Sequence, residues 1–236
     1  MRKRLWIPLA LLCLCAAAFL LFALDYYRAD ASAEAALRSD ALVRVERTEH
    51  GWFFDGPERD DALIFYPGAK VEAAAYAPLL RRVAAGGTDV FLVEMPLRFA
   101  FLGMDRAEEV MAEHDYARWA IGGHSLGGAV AANYVSAHPG VFDALVLCAA
   151  YPTKPLGELR EISLSGSEDG VLNRAKLEAG RAFAPPESAE LVIEGGNHAR
   201  FGSYGEQRGD GEASISAEEQ QTIAAAFILS ELDKAA

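Results

Sequence analysis

Ser125 lies in Gly123-His124-Ser125-Leu126-Gly127, a G-x-S-x-G pattern with a further glycine on each side, Gly122 and Gly128. Such a pattern suits a nucleophile. The serine must sit on a sharp, strained turn that lifts its hydroxyl above a sheet, and the residues two positions away must be tiny. A helix starting behind the turn aims its first N–H groups at the place where negative charge develops during acyl transfer. The bland alternative is a glycine-rich turn that only lets a helix pack. A phosphate-cradling loop is disfavoured because no Lys-Ser/Thr follows the glycines.

A serine hydroxyl needs a base. Of the five histidines, His124 adjoins the serine and is expected to project away from its hydroxyl. His138 ends a helix before Pro139, His50 lies in a hairpin turn, and His114 ends an amphipathic helix. His198, in Gly195-Gly196-Asn197-His198-Ala199, follows the last predicted strand, in a loop on the same sheet edge as Ser125. It is the expected base. A carboxylate between the two, to orient the imidazole and stabilise its charged form, completes the set. Asp169 in Ser165-Gly166-Ser167-Glu168-Asp169-Gly170 is preferred because its short arm holds one geometry; Glu168 is the runner-up. Asp143 precedes its strand and belongs to the other end of the sheet. The order Ser125, Asp169, His198 is that of an elbow-type hydrolase. The oxyanion donors are expected to be the backbone N–H groups of Leu126 and of Ala69, the latter in the Pro67-Gly68-Ala69-Lys70 loop, with Lys70 as its alternative.

The elements that must hold these residues are legible as alternating apolar runs and helical stretches. A hairpin is expected from Leu42–Val45 and Trp52–Phe54 around Glu49-His50-Gly51. Strands are expected at 62–66, 90–93, 119–121, 144–148, 162–164 and 190–193, and helices at 73–85, 106–114, 127–137, 172–183 and 217–232. Continuous apolar strands between helices indicate an α/β fold, a mostly parallel doubly wound sheet with helices on both faces. Such sheets place their sites at the carboxyl ends of the strands. About a dozen residues separate the strands ending at Cys148 and starting at Ile162, too few for a large cap domain.

At this point the chain resembles the α/β-hydrolase superfamily over roughly Ala41 to Leu232. Tyr66-Pro-Gly-Ala-Lys-Val71, Gly123-His-Ser-Leu-Gly-Gly128, Gly166-Ser-Glu-Asp169 and Gly195-Gly-Asn-His-Ala-Arg-Phe-Gly202 are similar to small bacterial dienelactone-hydrolase-like and carboxylesterase-like members. That likeness implies a serine esterase or related acyl hydrolase that needs no cofactor. Dienelactone hydrolases proper carry a cysteine nucleophile where Ser125 stands, which turns the expected substrate away from dienelactone itself.

The chain has 236 residues, 52% hydrophobic and 24% charged, with a formal charge of −12. The composition is that of a folded protein. Its acidity argues against nucleic acid as a partner, and a small-molecule ester is the expected substrate. No paired His/Asp spacing suggests a metal. Three cysteines make no disulfide framework. Oligomeric state is not legible.

Residues 1–24 form a separate unit. Arg2, Lys3 and Arg4 precede Leu5 to Leu24, a run with no charge that as a helix spans roughly 30 Å, a bilayer's hydrocarbon thickness. The expectation is an uncleaved single-pass anchor with its N-terminus cytoplasmic and the catalytic domain outside. The alternative is a signal peptide cleaved near Ala29-Asp30-Ala31 or Ala31-Ser32-Ala33, leaving a secreted protein. Residues 25–40 read as a juxtamembrane linker and 41–236 as one hydrolase domain. Without the three basic residues of the first 24, the charge becomes −15, so the domain is expected to be held at a membrane by its anchor and not by its own face. Two rivals keep the same fold: an acyltransferase or thioesterase using the same residues, and a non-catalytic binding protein. Tyr204, Gln207 and Asp210, beyond His198, either line the pocket or decorate the surface.

Overall fold

Residues alternate along the central strands between two cores, and that alternation sets the architecture. The computed structural model describes residues 3–57 and 60–235; Arg2, part of the expected basic flank, lies outside them. Eight strands form one sheet: β1 (Arg44–Arg47), β2 (Gly51–Asp55), β3 (Asp61–Tyr66), β4 (Asp89–Val93), β5 (Arg118–His124), β6 (Ala144–Cys148), β7 (Arg160–Gly166) and β8 (Ala189–Ile193). Their order is β1-β2-β4-β3-β5-β6-β7-β8. β1 and β2 form the expected antiparallel hairpin, β2 runs antiparallel to β4, and all later pairings are parallel.

On one face Leu63, Phe65, Val90, Leu92, Val146 and Ile162 pack against α3 (Ala77–Ala85) and α7 (Ala217–Leu232). On the other, Ala62, Ile64, Tyr66, Phe91, Ile121 and Leu145 pack against α4 (Arg106–Glu113) and α5 (Leu126–Ala137). Strands buried on both faces need unbroken apolar runs, which is why β3, β4 and β6 are buried throughout. α3 follows a 3-10 turn at Ala73–Tyr76, so the expected single helix over 73–85 is two pieces. The last helix before β8 also divides, into α6 (Arg174–Gly180) and a 3-10 turn to Phe183. Residues 149–159 carry no helix or strand, so no large cap covers the carboxyl edge.

α1 (Lys3–Leu24) is long and apolar enough over Trp6–Leu24 to cross a membrane or act as a signal sequence, and only 6% of it is buried. A core helix of a soluble domain would be mostly covered. Residues 25–40, expected as a linker, lie packed on the domain. Tyr27 forms a parallel bridge with Val71, donating its N–H to Lys70 O (2.8 Å) and accepting from Glu72 N–H (2.9 Å). Ala29 N–H donates to Glu72 Oε2 (3.0 Å), Asp30 N–H donates to Ser203 O (2.9 Å), and Asp30 caps the short helix α2 (Ala31–Ala36), which rests on α3. The reason is local: an extended stretch with its own polar backbone finds partners in the backbone and side chains of two loops. The strap thus touches both the loop after β3 and the loop after β8.

Glu161, at the amino end of β7, is buried, with Ser188 Oγ 3.4 Å away. Burial pushes its carboxyl up to about 7, and Glu190 adds to the shift. The folded state therefore keeps a proton that the unfolded chain releases near pH 4.5, and stability falls as pH rises between those values. Glu161→Gln is expected to raise stability by up to about 3 kcal/mol at pH 8 and hardly at all near pH 4. Thermal unfolding at the two pH values measures this.

Candidate active site

β5 lies at the centre of the sheet between β3 and β6, and its end delivers Ser125 into the turn. Ser125 has φ 52° and ψ −121°, a strained conformation for any residue with a Cβ. Its N–H donates to Cys148 O (2.9 Å), which pins the turn to β6. The flanking glycines are required by contact. A Cβ on Gly123 would lie 2.5 Å from Tyr66 O and 2.7 Å from Gly127 C, and one on Gly127 would press into the carbonyls of Tyr66 and Pro67. α5 begins at Leu126, directly behind the serine.

Asp169 and His198, the expected acid and base, are brought together. Asp169, just past β7, places Oδ2 2.9 Å from His198 Nδ1. Its Oδ1 accepts the N–H groups of Val171 (2.9 Å) and Leu172 (2.7 Å). Burial pushes the Asp169 carboxyl up, but His198 and these two amides outweigh it and hold the group below the ordinary carboxylate range. An ionised Asp169 is acceptor-only, so Nδ1–H of His198 donates to Oδ2 and Nε2 is the ring nitrogen left to take up a proton. That Nε2 is buried and has no hydrogen-bond partner among the described residues. Ser125 and His198 line one cleft of about 280 Å³ with Leu126, Ala149, Tyr151 and Leu172. Ser125 Oγ makes no hydrogen bond to Nε2 in this state; such contacts are often looser before substrate binds. Glu168 reaches only Ser167 Oγ (3.2 Å) and stays out of this constellation.

Among the described residues, neither the Leu126 N–H nor the Ala69 N–H donates a hydrogen bond. Lys70, the alternative to Ala69, has spent its amide on Arg98 O (3.0 Å). Among the described residues no cluster of three or more His, Cys, Asp or Glu is grouped as metal ligands are.

Two supports escaped the sequence reading. His124 does turn from the serine, and its Nδ1 meets Tyr76 Oη at 2.8 Å. Tyr76 Oη also accepts the Gly68 N–H (3.1 Å), so one hydroxyl meets both the loop amide and the His124 ring. Burial, then the neighbouring His198, holds His124 well below the usual imidazole range. This neutral ring, 4.5 Å from the His198 ring, puts no positive charge beside it. The chain Gly68–Tyr76–His124 thereby ties the loop bearing Ala69 to the serine turn. Tyr76→Phe is expected to lower kcat about tenfold with little change in KM, measurable on p-nitrophenyl acetate; a purely structural tyrosine would lower stability and leave kcat per folded molecule intact.

The second support is Asp210. Its carboxylate accepts from the amides of Gly170 (3.0 Å), His198 (3.3 Å) and Ala199 (2.8 Å), clamping the acid loop to the base loop. Tyr204 is buried against Tyr27 and Tyr76 and donates to Gln207 Oε1 (3.0 Å). None of Tyr204, Gln207 and Asp210 lines the Ser125 cleft, so the choice between pocket wall and surface decoration gives way to a framework role. The signal was indirect: Asp210 follows Gly209 in a polar loop, and only the fold reveals which amides it faces.

A mostly parallel eight-stranded sheet with a serine on the turn after its central strand defines an α/β hydrolase. The chain belongs to the alpha/beta hydrolase family, whose model matches residues 62–222. No curated protein sequence matches it. Among solved structures it is similar in fold to a dienelactone hydrolase from Anabaena variabilis (TM-score 0.59, 14% identity, covering 82% of this chain and 98% of that one). A carboxylesterase from Bacillus subtilis is also similar (0.57, 11%, 85% and 94%), as is Est1E from Butyrivibrio proteoclasticus, solved with ferulic acid bound (0.60, 10%, 84% and 98%).

Proposed function

We propose that this protein is a serine esterase held at a membrane by α1, hydrolysing small or moderate-size carboxylic esters through an acyl-enzyme. The observation that carries the reading is the Asp169–His198 pair at 2.9 Å, with Nε2 given no hydrogen-bond partner among the described residues, in a cleft lined also by Ser125 on its strained turn. Ser125 Oγ attacks the ester carbonyl as His198 Nε2 takes its proton, and the Leu126 and Ala69 amides stabilise the oxyanion. Protonated His198 then hands the proton to the departing alcohol. Water, deprotonated by the same nitrogen, releases the acid, and Asp169 orients the ring throughout. No helix or strand in residues 149–159 covers the cleft, which leaves water a path to the acyl-enzyme and favours hydrolysis over transfer to another alcohol.

Retention of α1 is supported by the strap. Cleavage at Ala29-Asp30-Ala31 or Ala31-Ser32-Ala33 would remove Tyr27 and its bonds to Lys70 and Glu72. The domain then lies on the side opposite the basic flank. Alkaline extraction is expected to leave the protein in the membrane pellet.

A fluorophosphonate probe tests the chemistry. Labelling is expected on Ser125 and absent from Ser125→Ala, with p-nitrophenyl acetate turnover lost in parallel. A wild-type protein that resists the probe, or an alanine variant with undiminished turnover, overturns the proposal.

A further inference from the structure

α1 meets the domain at the rim that carries the site. Phe19 and Phe22 stack against Phe99 with ring centroids 5.5 and 6.2 Å apart. Phe99 lies between two 3-10 turns, Pro96–Arg98 and Ala100–Leu102, in the connection that leaves the carboxyl end of β4. This connection holds Leu97 and Arg98 at φ 50° and 63°, two successive residues in a region disfavoured for side chains with a Cβ. It presents Leu97, Phe101, Leu102 and Met104 to the outside, each 38–48% exposed. An exposed apolar cluster of that kind marks a contact surface.

Cations stacked on aromatic rings surround the base of the helix. Lys70 Nζ lies 3.9 Å from the Phe22 ring centre, and the Arg98 and Arg28 guanidiniums lie 3.3 and 4.9 Å from that of Tyr26. Aromatic rings with neighbouring cations at the end of an apolar helix are what a headgroup layer favours. The same connection is tied to the site. Arg98 O accepts the Lys70 N–H next to Ala69, Met104 O accepts from Tyr66 Oη at 2.6 Å, and the second turn packs on α5 behind Ser125.

We propose that this connection lies in the bilayer interface beside α1, so that the catalytic rim faces lipid and the substrate is an amphiphilic ester drawn from the membrane. It rests on the reading of Ser125 as nucleophile and α1 as anchor. The occupant is a bilayer because the apolar cluster is continuous with a helix of membrane-spanning length and with the cations at its base. A cleft of about 280 Å³ takes the reacting end of such an ester while its tail stays in the bilayer. The expectation that the acidic domain plays no part in membrane contact is thereby revised at this one edge.

The test uses the full chain reconstituted in phosphatidylcholine vesicles with and without brominated acyl chains. Trp6 reports the anchor. The emission added by Phe101→Trp is expected to fall at least about twofold in brominated lipid, whereas that added by Val141→Trp, in the loop before β6, is not. Phe101→Asp is expected to lower the ratio of turnover on a vesicle-embedded ester to turnover on p-nitrophenyl acetate at least about fivefold. Quenching of Trp6 without quenching at position 101, or an unchanged ratio, overturns the proposal and leaves the esterase reading intact. An unquenched Trp6 overturns it together with the anchor. Failure of Ser125 labelling, by contrast, removes the chemistry and does not affect the quenching result.

Discussion

Asp169→Asn is expected to reduce kcat/KM on p-nitrophenyl acetate by about 10³–10⁴-fold while the protein stays folded. The geometry dictates why. Oδ1 is occupied by the Val171 and Leu172 amides at 2.9 and 2.7 Å, so an asparagine keeps its carbonyl oxygen there and turns its NH₂ toward His198 Nδ1. Nδ1 must then accept, the ring proton moves to Nε2, and the nitrogen that should receive the serine proton already carries one. Glu168→Gln is the control, since among the described residues the Glu168 carboxylate is hydrogen-bonded only by Ser167 Oγ; its kcat/KM is expected to stay within about twofold. Steady-state rates with thermal unfolding on the same samples separate lost chemistry from lost structure. A loss with Glu168→Gln equal to that with Asp169→Asn would assign the acid wrongly here.

Gly127→Ala is expected to destabilise the protein by about 3 kcal/mol or more, roughly 6–12 °C in Tm for a domain of this size, or to prevent soluble expression. The added methyl would collide with the carbonyl oxygens of Tyr66 and Pro67 and approach Tyr66 C to 2.7 Å. These are backbone atoms at the end of β3, held by pairing to β4 and β5 on either side, so they yield only if the sheet distorts. Whatever fraction folds should be nearly inactive, because relief of the clash displaces the loop that carries the Ala69 amide. Thermal denaturation and activity per folded molecule check both parts, and an alanine tolerated within about 1 kcal/mol would contradict the close approach of α5 to β3.

The sheet was legible in the sequence because its strands are buried on both faces and therefore read as unbroken apolar runs. Ala144–Cys148 and Ala217–Leu232 coincide with β6 and α7 residue for residue. Boundaries slipped where local geometry changed without a change in hydropathy, as at the 3-10 turn before α3. Among the site residues, Asp169 could be preferred to Glu168 by arm length alone, and the structure brings it to His198. Tyr76 and Asp210 were not legible. Each joins a nearby loop to a partner about 40 or more residues away, Tyr76 to His124 and Asp210 to Gly170, and no local spacing encodes such meetings. The packing of residues 25–40 was hidden for a related reason: an alanine-rich polar stretch looks the same whether it floats or lies in a groove.

The bare segment 149–159 between β6 and β7 has a kinetic meaning. On the proposed reading of Ser125 as an esterase nucleophile, residues 149–159 hold no element to swing shut over it, no hinge movement of that segment stands between successive turnovers, and the freed alcohol leaves directly. Discrimination among esters then falls to the fixed walls around the serine, Ala149, Tyr151 and Leu172 among them, and reshaping selectivity by engineering would begin with those side chains.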